Sequence, residues 1–515
     1  MSIMHNVITH NSYWYSGLDG VPDRPGLQST VNTEVAIIGG GITGLTAALC
    51  LQNEGKDVVL IDAGSIGSGT SGATSAQINV HPDQGAKALI DKHGLEHSKL
   101  ITQARREAID QIEKWVKKFK IDCEFARVPS FSYTEHRNRL GDLKQEFEHL
   151  SELGLKVALT PQCDLPFPIQ GAVRAENQAR FHPLKYLNGL ADIFIERGGR
   201  IYENTRAQPP RQGKPCIIQT AEGEILADDV LVCTHSAYLG ISIFDLKVAP
   251  YQSYIIAVRI EQDFPDGLYW DDDDPYHYMR LLDPQNPNLV LIGGADHKTG
   301  QLEHEQDAWA KLESYARDRM KVLEVVTRWS GEYFEPDDGL PYVGKVPTMS
   351  NVYIATGFLG TGLTFGTMAG HMLSEQVMGR TGPLSSILST SRVSPIAASV
   401  NFVSENTNVA WHFVTDRFKG EKLEQFETIA NNCGQLIVHD GKQIAAYRDD
   451  MGQLFLLNPT CTHAGCHVHW NDAERTWDCP CHGGRYAPDG KRLYGPPTKD
   501  LASIDPNQIR GEVRE

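Results

Sequence analysis

The stretch from Val35 to Asp62 restricts the fold more than any other part of this chain. It reads Val35-Ala-Ile-Ile, then Gly39-Gly-Gly41-Ile-Thr-Gly44, then Leu45, Ala48 and Leu49 at helical spacing up to Gly55, and it ends in Asp57-Val-Val-Leu-Ile-Asp62. An apolar run, a Gly-x-Gly-x-x-Gly turn, a helix and a second apolar run predict strand, turn, helix, strand. Glycines let the backbone turn tightly and approach a pyrophosphate, which sits on the free N–H groups of the helix start. Asp62 stands where a carboxylate accepts from ribose hydroxyls. The fingerprint predicts a dinucleotide and does not by itself separate NAD from FAD. A second match, Gly67-x-Gly69-x-x-Gly72, has no new strand before it and no helical pattern after it. It reads as a loop beside the same cofactor, and a separate NAD(P) domain is not expected.

At 515 residues the chain has room for about three domains. Hydrophobic content of 41% and charged content of 22% place it among ordinary globular proteins. A net charge of −17 argues against nucleic acid as a partner, because phosphates would repel it. The first residues, Met1 to Asn11, lack a basic start followed by an apolar core, so no signal peptide is expected. Residues 35–53 and 346–374 are long and uncharged, but glycine, proline and threonine interrupt them, and a spanning helix needs about 20 mostly apolar residues. Of the ten cysteines, Cys50, Cys123, Cys163, Cys216, Cys233 and Cys433 are scattered and read as reduced thiols. The other four lie between Cys461 and Cys481. Without a distributed disulfide framework the expected location is cytoplasmic.

Residues 84–160 read as a charged helical layer, with Ile101, Ala104, Ala108, Ile112, Trp115 and Val116 on one face. Residues 173–183 read as a turn and 184–197 as a helix. Arg200-Ile-Tyr-Glu203 and the run from Asp229 to Cys233 read as strands rejoining the first domain, and 251–260 and 289–293 as strands of a second sheet. The acids Asp271 to Asp274 read as a solvated loop, with recruitment of a cationic substrate as the sharper alternative. Serine and proline from Gly382 to Ser399 suggest a linker. Past Gln425 come short strands at 435–439, 445–447 and 454–457, with Asp440-Gly441 as a hairpin turn, which predicts a separate small β domain.

That last domain carries Cys461-Thr-His463-Ala-Gly-Cys466 and Cys479-Pro-Cys481-His482-Gly483-Gly484. Cys461, His463, Cys479 and His482 could hold zinc tetrahedrally. Against zinc, each half gives one cysteine and one histidine from a loop and keeps a spare cysteine. The pattern resembles the Rieske [2Fe–2S] proteins of respiratory complexes. The resemblance implies that Cys461 and Cys479 hold one iron, that His463 and His482 hold the other, and that Cys466 and Cys481 form a disulfide between the loops. Neutral histidines leave such a cluster less negative and easier to reduce. Gly495-Pro496-Pro497 resembles the family's third loop. Gly484 stands where respiratory relatives carry a hydrogen-bonding serine, while Tyr486 matches their second donor, so a lower potential than theirs is expected.

Residues 12–380 resemble the D-amino-acid/glycine oxidase superfamily of FAD enzymes, in particular amine-oxidising members such as gamma-glutamylputrescine oxidoreductase. The resemblance is carried by Ser12-Tyr-Trp14, the fingerprint, Ile66 to Gln77, Trp329-Ser-Gly331, Asp338-Gly339-Leu-Pro341-Tyr-Val-Gly344 and Thr356-Gly357-Phe-Leu-Gly360-Thr-Gly362-Leu-Thr364. It implies an α/β fold with an FAD-binding Rossmann-like domain of glutathione-reductase type (33–83, 171–250, 336–381). Interleaved with it is an antiparallel-sheet substrate domain (84–170, 251–335). An arm (1–32), a linker (382–424) and an all-β Rieske domain (425–515) complete the chain. FAD would lie against Gly39, Gly41, Ile42, Thr43, Gly44, Asp62, Ala63, Ser71 and Gln77. Its ring would meet Gly357, Gly360, Thr361, Gly362, Leu363 and Thr364. Substrate candidates are Tyr251, Tyr254, Tyr278 and Arg280, the last matching a carboxylate-binding position in some relatives; His277 and His297 read as ordinary surface or loop histidines. His235 departs from the family, which has a small residue there.

Flavin takes two electrons and a [2Fe–2S] cluster carries one at a time. Their fusion implies a dehydrogenase that oxidises an amine or amino-acid-like substrate and passes electrons singly to an external acceptor such as a ferredoxin, cytochrome or quinone. Two alternatives remain at this point: a reductase taking electrons in at the cluster, and an electron-transfer or redox-sensing protein without substrate turnover.

Overall fold

The computed structural model describes residues 12–18, 21, 23–302, 304–392 and 426–505. Most of the expected linker (393–424), the first part of the arm and residues 506–515 lie outside them. The fingerprint folds as its pattern predicts. Strand Val31–Ile38 leads into helix Ile42–Asn53 and strand Val58–Ile61, and the two strands pair in parallel. They are the middle of a seven-stranded sheet running Tyr342–Lys345, Val352–Thr356, Glu224–Val232, Val31–Ile38, Val58–Ile61, Arg200–Tyr202, with Cys216–Gln219 added beside Glu224–Val232. A Cβ on Gly44 would collide with the Gly39 carbonyl, so only glycine lets the helix start this close to its strand. Helix Gly362–Val377 lies directly on that helix. Cβ atoms at Gly366 and Gly370 would come 2.7 Å from Ile42 and 2.6 Å from the Thr43 carbonyl. Part of this glycine-dense segment therefore serves helix packing rather than a ligand.

The second sheet has nine strands, ordered Val322–Pro336, Val248–Ile260, Asn286–Lys298, His277–Asp283, Leu268–Asp271, Ala126–Thr134, Gly171–Arg180, Gln77–Ile78, with Val157–Thr160 beside Gly171–Arg180. It is antiparallel except where Leu268–Asp271 meets Ala126–Thr134. Two sequence readings change here. The stretch 84–160 is not wholly helical, since Ala126–Thr134 is a central strand; and residues 171–180 form a strand of this sheet rather than a turn near the nucleotide domain. Both strands contact helix Leu140–Glu152, and Ala126–Thr134 also buries Phe131 and Tyr133 in a second core with Tyr254 and Tyr269.

The arm is a short turn, Tyr13–Tyr15, tied down by its own side chains. Ser12 Oγ donates to the Gly72 carbonyl and Trp14 Nε1 to the Thr74 carbonyl, both at 2.7 Å, and Trp14 is fully buried. The C-terminal domain has a three-stranded and a four-stranded antiparallel sheet. Its first hairpin turns on Asp440 and Gly441, both with positive φ (48° and 74°), as a two-residue turn requires. Among the described residues no helix is long and apolar enough to cross a membrane.

Candidate active site and metal centre

A cavity of about 720 Å³ opens between the two large sheets. Gly39, Gly41, Ile42, Thr43, Asp62, Ala63, Ser71, Gln77, Gly360, Thr361, Gly362 and Leu363 line it, all expected from the sequence. Gly44, Gly357 and Thr364 do not line it. Gly44 serves the strand–helix approach, a Cβ on Gly357 would strike Pro336, and Thr364 turns its hydroxyl back to the Thr361 carbonyl at 3.1 Å. Asp62 accepts from the N–H groups of Gly40 (2.7 Å) and Gly64 (2.8 Å), which fixes it at the end of its strand facing the cavity. The start of helix Ile42–Asn53 faces the same space, so the residues fit a dinucleotide diphosphate. The Gly360 N–H, expected to face the cofactor ring, donates to Asp83 Oδ2 at 2.7 Å.

The substrate candidates divide. Tyr278 lines the cavity; its ring lies over Gly293, where a Cβ would collide with it, and its hydroxyl pairs with Ser253 Oγ at 3.0 Å. Tyr254 does not. Successive side chains alternate across a strand, so Ser253 and Ile255 face the cavity while Tyr254 points to the opposite face and stacks on His297 (ring centroids 5.4 Å apart). Tyr251 does not line it but stacks behind Tyr333, which does, with ring centroids 5.7 Å apart. Arg280 does not line the cavity either. It is 1% exposed, and its guanidinium donates to the carbonyls of Ala76 (2.7 Å) and Leu281 (2.8 Å). It is a clasp between the second sheet and the loop before Gln77. His277 sits on a strand, its Nδ1 2.9 Å from Asp271 Oδ2, and is not a loop histidine.

The sequence reading missed Asp296. Strand Asn286–Lys298 bulges against Val248–Ile260 between Gln252 and Tyr254, and Ala295 takes φ +55° there. Such a bulge re-aims the next side chain, and Asp296 lines the cavity beside Tyr276 and Tyr333. Tyr333 donates to its Oδ2 at 3.0 Å, its Oδ1 is buried without a partner, and burial raises it to about 6. The pair Gly293-Gly294 within a strand was the available signal. The acid run also departs from a plain solvated loop. Asp271, Asp272 and Asp273 line the cavity with Asp83 and Glu146, and Arg139 pairs with Asp272 at 3.5 Å and Asp273 at 3.4 Å.

In the C-terminal domain Cys461 (3% exposed) and Cys479 (1%) come together, and the rings of His463 and His482 meet edge to face with centroids 5.0 Å apart. His463 Nδ1 is buried without a partner, as an atom meant for a metal would be, and Nε2 makes no hydrogen bond either. The Cys466–Cys481 disulfide joins the two loops (S–S 2.04 Å). Tyr486 Oη accepts from the Thr462 N–H at 3.0 Å and lies 3.3 Å from Cys461 Sγ, the expected donor. These four residues fit an iron pair held half by sulfur and half by imidazole. Gly484 has a steric reason for lacking a side chain. A Cβ there would come 2.6 Å from Pro497 Cγ and 3.5 Å from Cys461 Sγ. Gly484→Ser should therefore overpack the site and lower domain stability by about 1–3 kcal/mol, read by thermal unfolding of the cluster-loaded protein; an unchanged midpoint would mean that the third loop gives way freely.

The two centres share a wall. Leu493, Tyr494 and Gly495 of the C-terminal domain line the large cavity, and Gly495 packs on Gly483 and Gly484, the residues after His482. Tyr494 Oη pairs with Thr70 Oγ1 at 3.1 Å, Arg206 donates to the Leu493 carbonyl at 3.3 Å, and Arg492 to Tyr238 Oη at 2.9 Å. His235 belongs to this seam. Its Nδ1 lies 3.0 Å from Thr70 Oγ1, and its ring contacts Phe334 (5.0 Å) and Tyr494 (6.2 Å). Burial pulls it down to about 4, so it is neutral. The side chain that departs from the oxidase pattern is thus the one that meets the added domain.

Comparison with known proteins agrees with both halves. Residues 34–376 match the DAO family, FAD dependent oxidoreductase, and residues 426–505 match the Rieske [2Fe-2S] domain. The Rieske 2Fe-2S iron-sulfur protein YhfW of Bacillus subtilis (strain 168) is 33% identical over 96% of this chain and 97% of its own. Gamma-glutamylputrescine oxidoreductase of Escherichia coli (strain K12) is 24% identical over 72% of this chain and 89% of its own. Glycine oxidase from Geobacillus kaustophilus superposes with a TM-score of 0.60 at 19% identity, covering 70% of this chain and 99% of that one. The chain belongs to the DAO family of FAD dependent oxidoreductases and carries a Rieske domain, which makes FAD and a [2Fe-2S] cluster its cofactors.

Proposed function

We propose that the protein is an amine dehydrogenase whose electrons leave the flavin one at a time through the Rieske cluster to an external acceptor. The observation that carries this reading is the shared wall. Backbone that borders the flavin cavity, at Gly495, packs on the loop that bears His482. The flavin, when bound, supplies the two-electron acceptor. The protein's part is to bind the amine, take its proton and keep the route to the cluster short.

The lining argues for a cationic amine over an amino acid. Asp83, Asp296 and the acids Asp271 to Asp273 face the substrate end, with Tyr276, Tyr278 and Tyr333 as walls. An amino-acid carboxylate needs a cation. Among the described residues the lining holds no lysine and one arginine, Arg206, which donates to the C-terminal domain. Asp296 is placed to take the ammonium proton, because the amine must be neutral before a hydride equivalent leaves its carbon. The substrate then becomes an iminium ion, the ammonium having lost one proton from nitrogen and a hydride equivalent from carbon. Gamma-glutamylputrescine oxidoreductase is named for an amine of this kind, and the acidic cavity supports the same class here.

The test is anaerobic mixing of the FAD- and cluster-loaded protein with diamines, monoamines and amino acids. Diamines should bleach the flavin and then reduce the cluster, with amino acids slower by at least about a hundredfold, since like charges cost several kcal/mol. Flavin bleaching by none of them would instead favour an electron carrier without turnover.

A further inference from the structure

The cluster domain meets the flavoprotein at a second place, distinct from the Tyr494 seam. The turn Ile243–Leu246 follows strand Glu224–Val232 and begins with a capping box. The Ser242 N–H donates to Asp245 Oδ2 at 2.6 Å and Ser242 Oγ reaches it at 3.2 Å, so this carboxylate is held in one orientation. The same Oδ2 lies 3.5 Å from His463 Nε2. Both side chains are almost closed to water, at 8% and 3% exposure. His463 Nδ1 is the buried orphan described above. An imidazole that gives one nitrogen to a metal turns its other N–H outward, and that N–H takes a carboxylate, a carbonyl or water. Here a carboxylate from another domain is already in place.

We propose that Asp245 is the outer hydrogen-bond partner of His463 in the loaded protein, a positioning residue that lowers the cluster's reduction potential and seats its histidine edge against the flavoprotein. The sign follows from charge. A carboxylate beside an imidazole ligand makes that ligand more basic and opposes an added electron, so it favours the oxidised cluster. In this chain the outer nitrogen of His463 lies 3.5 Å from the Asp245 carboxylate, and that edge faces the domain that would hold the flavin. The effect on the potential stands on geometry alone; its use in turnover rests on the relay proposed above.

The experiment is an EPR-monitored redox titration of the full chain, loaded with FAD and cluster, as wild type, Asp245→Asn, Asp245→Ala and Asp245→Glu. Outer partners of metal ligands typically act by tenfold or more. The Asn and Ala variants should shift the cluster's equilibrium about tenfold towards the reduced form, which for one electron is about 59 mV upward. Glu, which keeps the charge, should restore part of the shift. A midpoint unchanged in both Asn and Ala, with a full cluster signal, overturns the proposal. If those variants fail to hold a cluster, Ser242→Ala decides instead: it removes the side-chain half of the grip on the carboxylate and should move the midpoint upward by less, and no movement counts against the idea. Stopped-flow reduction of the same wild-type sample separates the two readings. A flavin that never reduces its cluster removes the relay and leaves the potential shift standing, whereas normal transfer with unmoved midpoints removes Asp245 and leaves the relay.

Discussion

Replacing His482 with alanine should leave amine-driven bleaching of the flavin within about twofold of wild type, while turnover with a one-electron acceptor falls by at least about a hundredfold. The magnitude follows because even the outer partners of metal ligands act by 10–100-fold, and His482 belongs to the expected ligand set itself. The selectivity follows from where the residues lie. His482 does not line the cavity, whereas Leu493, Tyr494 and Gly495 do, and none of them is altered. The flavin's surroundings therefore persist while the cluster loses an iron ligand. Acceptor turnover that survived the substitution would mean that electrons leave the flavin directly. Flavin that no longer bleached would mean that the seam had been disturbed, and the flavin absorption of the variant reads that separately.

The second large effect is expected at Asp296. Asp296→Asn keeps the shape and the Tyr333 contact but removes the proton acceptor, and general-base catalysis typically contributes about a hundred- to ten-thousandfold. kcat/KM for a diamine should fall by that range. The pH dependence has a definite sign. Burial raises this carboxyl to about 6, so the ionised form that takes the ammonium proton is present above that pH and disappears below it. Wild-type kcat/KM, which reports the free enzyme, should fall as pH drops through about 6, and the asparagine variant should lose this limb. A limb that stays in place in the variant would assign it to another group, and the role of Asp296 with it.

The legible parts of this molecule are those encoded within a few residues. The strand–turn–helix of the fingerprint, the Asp440-Gly441 hairpin and the paired Cys/His loops all depend on local spacing, and all fold as read. Sites set by register were not legible. Tyr254 and Arg280 sit on strands of the substrate sheet, yet period-two alternation turns Tyr254 away, and Arg280 is engaged by the neighbouring Leu281 carbonyl and by that of Ala76, distant in sequence. Asp296 reaches the cavity only because of a one-residue bulge, which no alternating pattern can show. The strand Ala126–Thr134 was hidden among helices because half of its side chains are polar. His235 could be seen as unusual but not explained, since its partner Tyr494 lies in another domain.

The shared wall also orders the protein's biosynthesis. Residues 34–376 leave the ribosome before residues 493–495, so the flavoprotein half is first made with one side of its cavity missing. On that side a long dinucleotide meets no wall until the iron–sulfur domain adds Leu493, Tyr494 and Gly495 to the lining. A chain ending at residue 392 should accordingly exchange its flavin faster than the full-length protein.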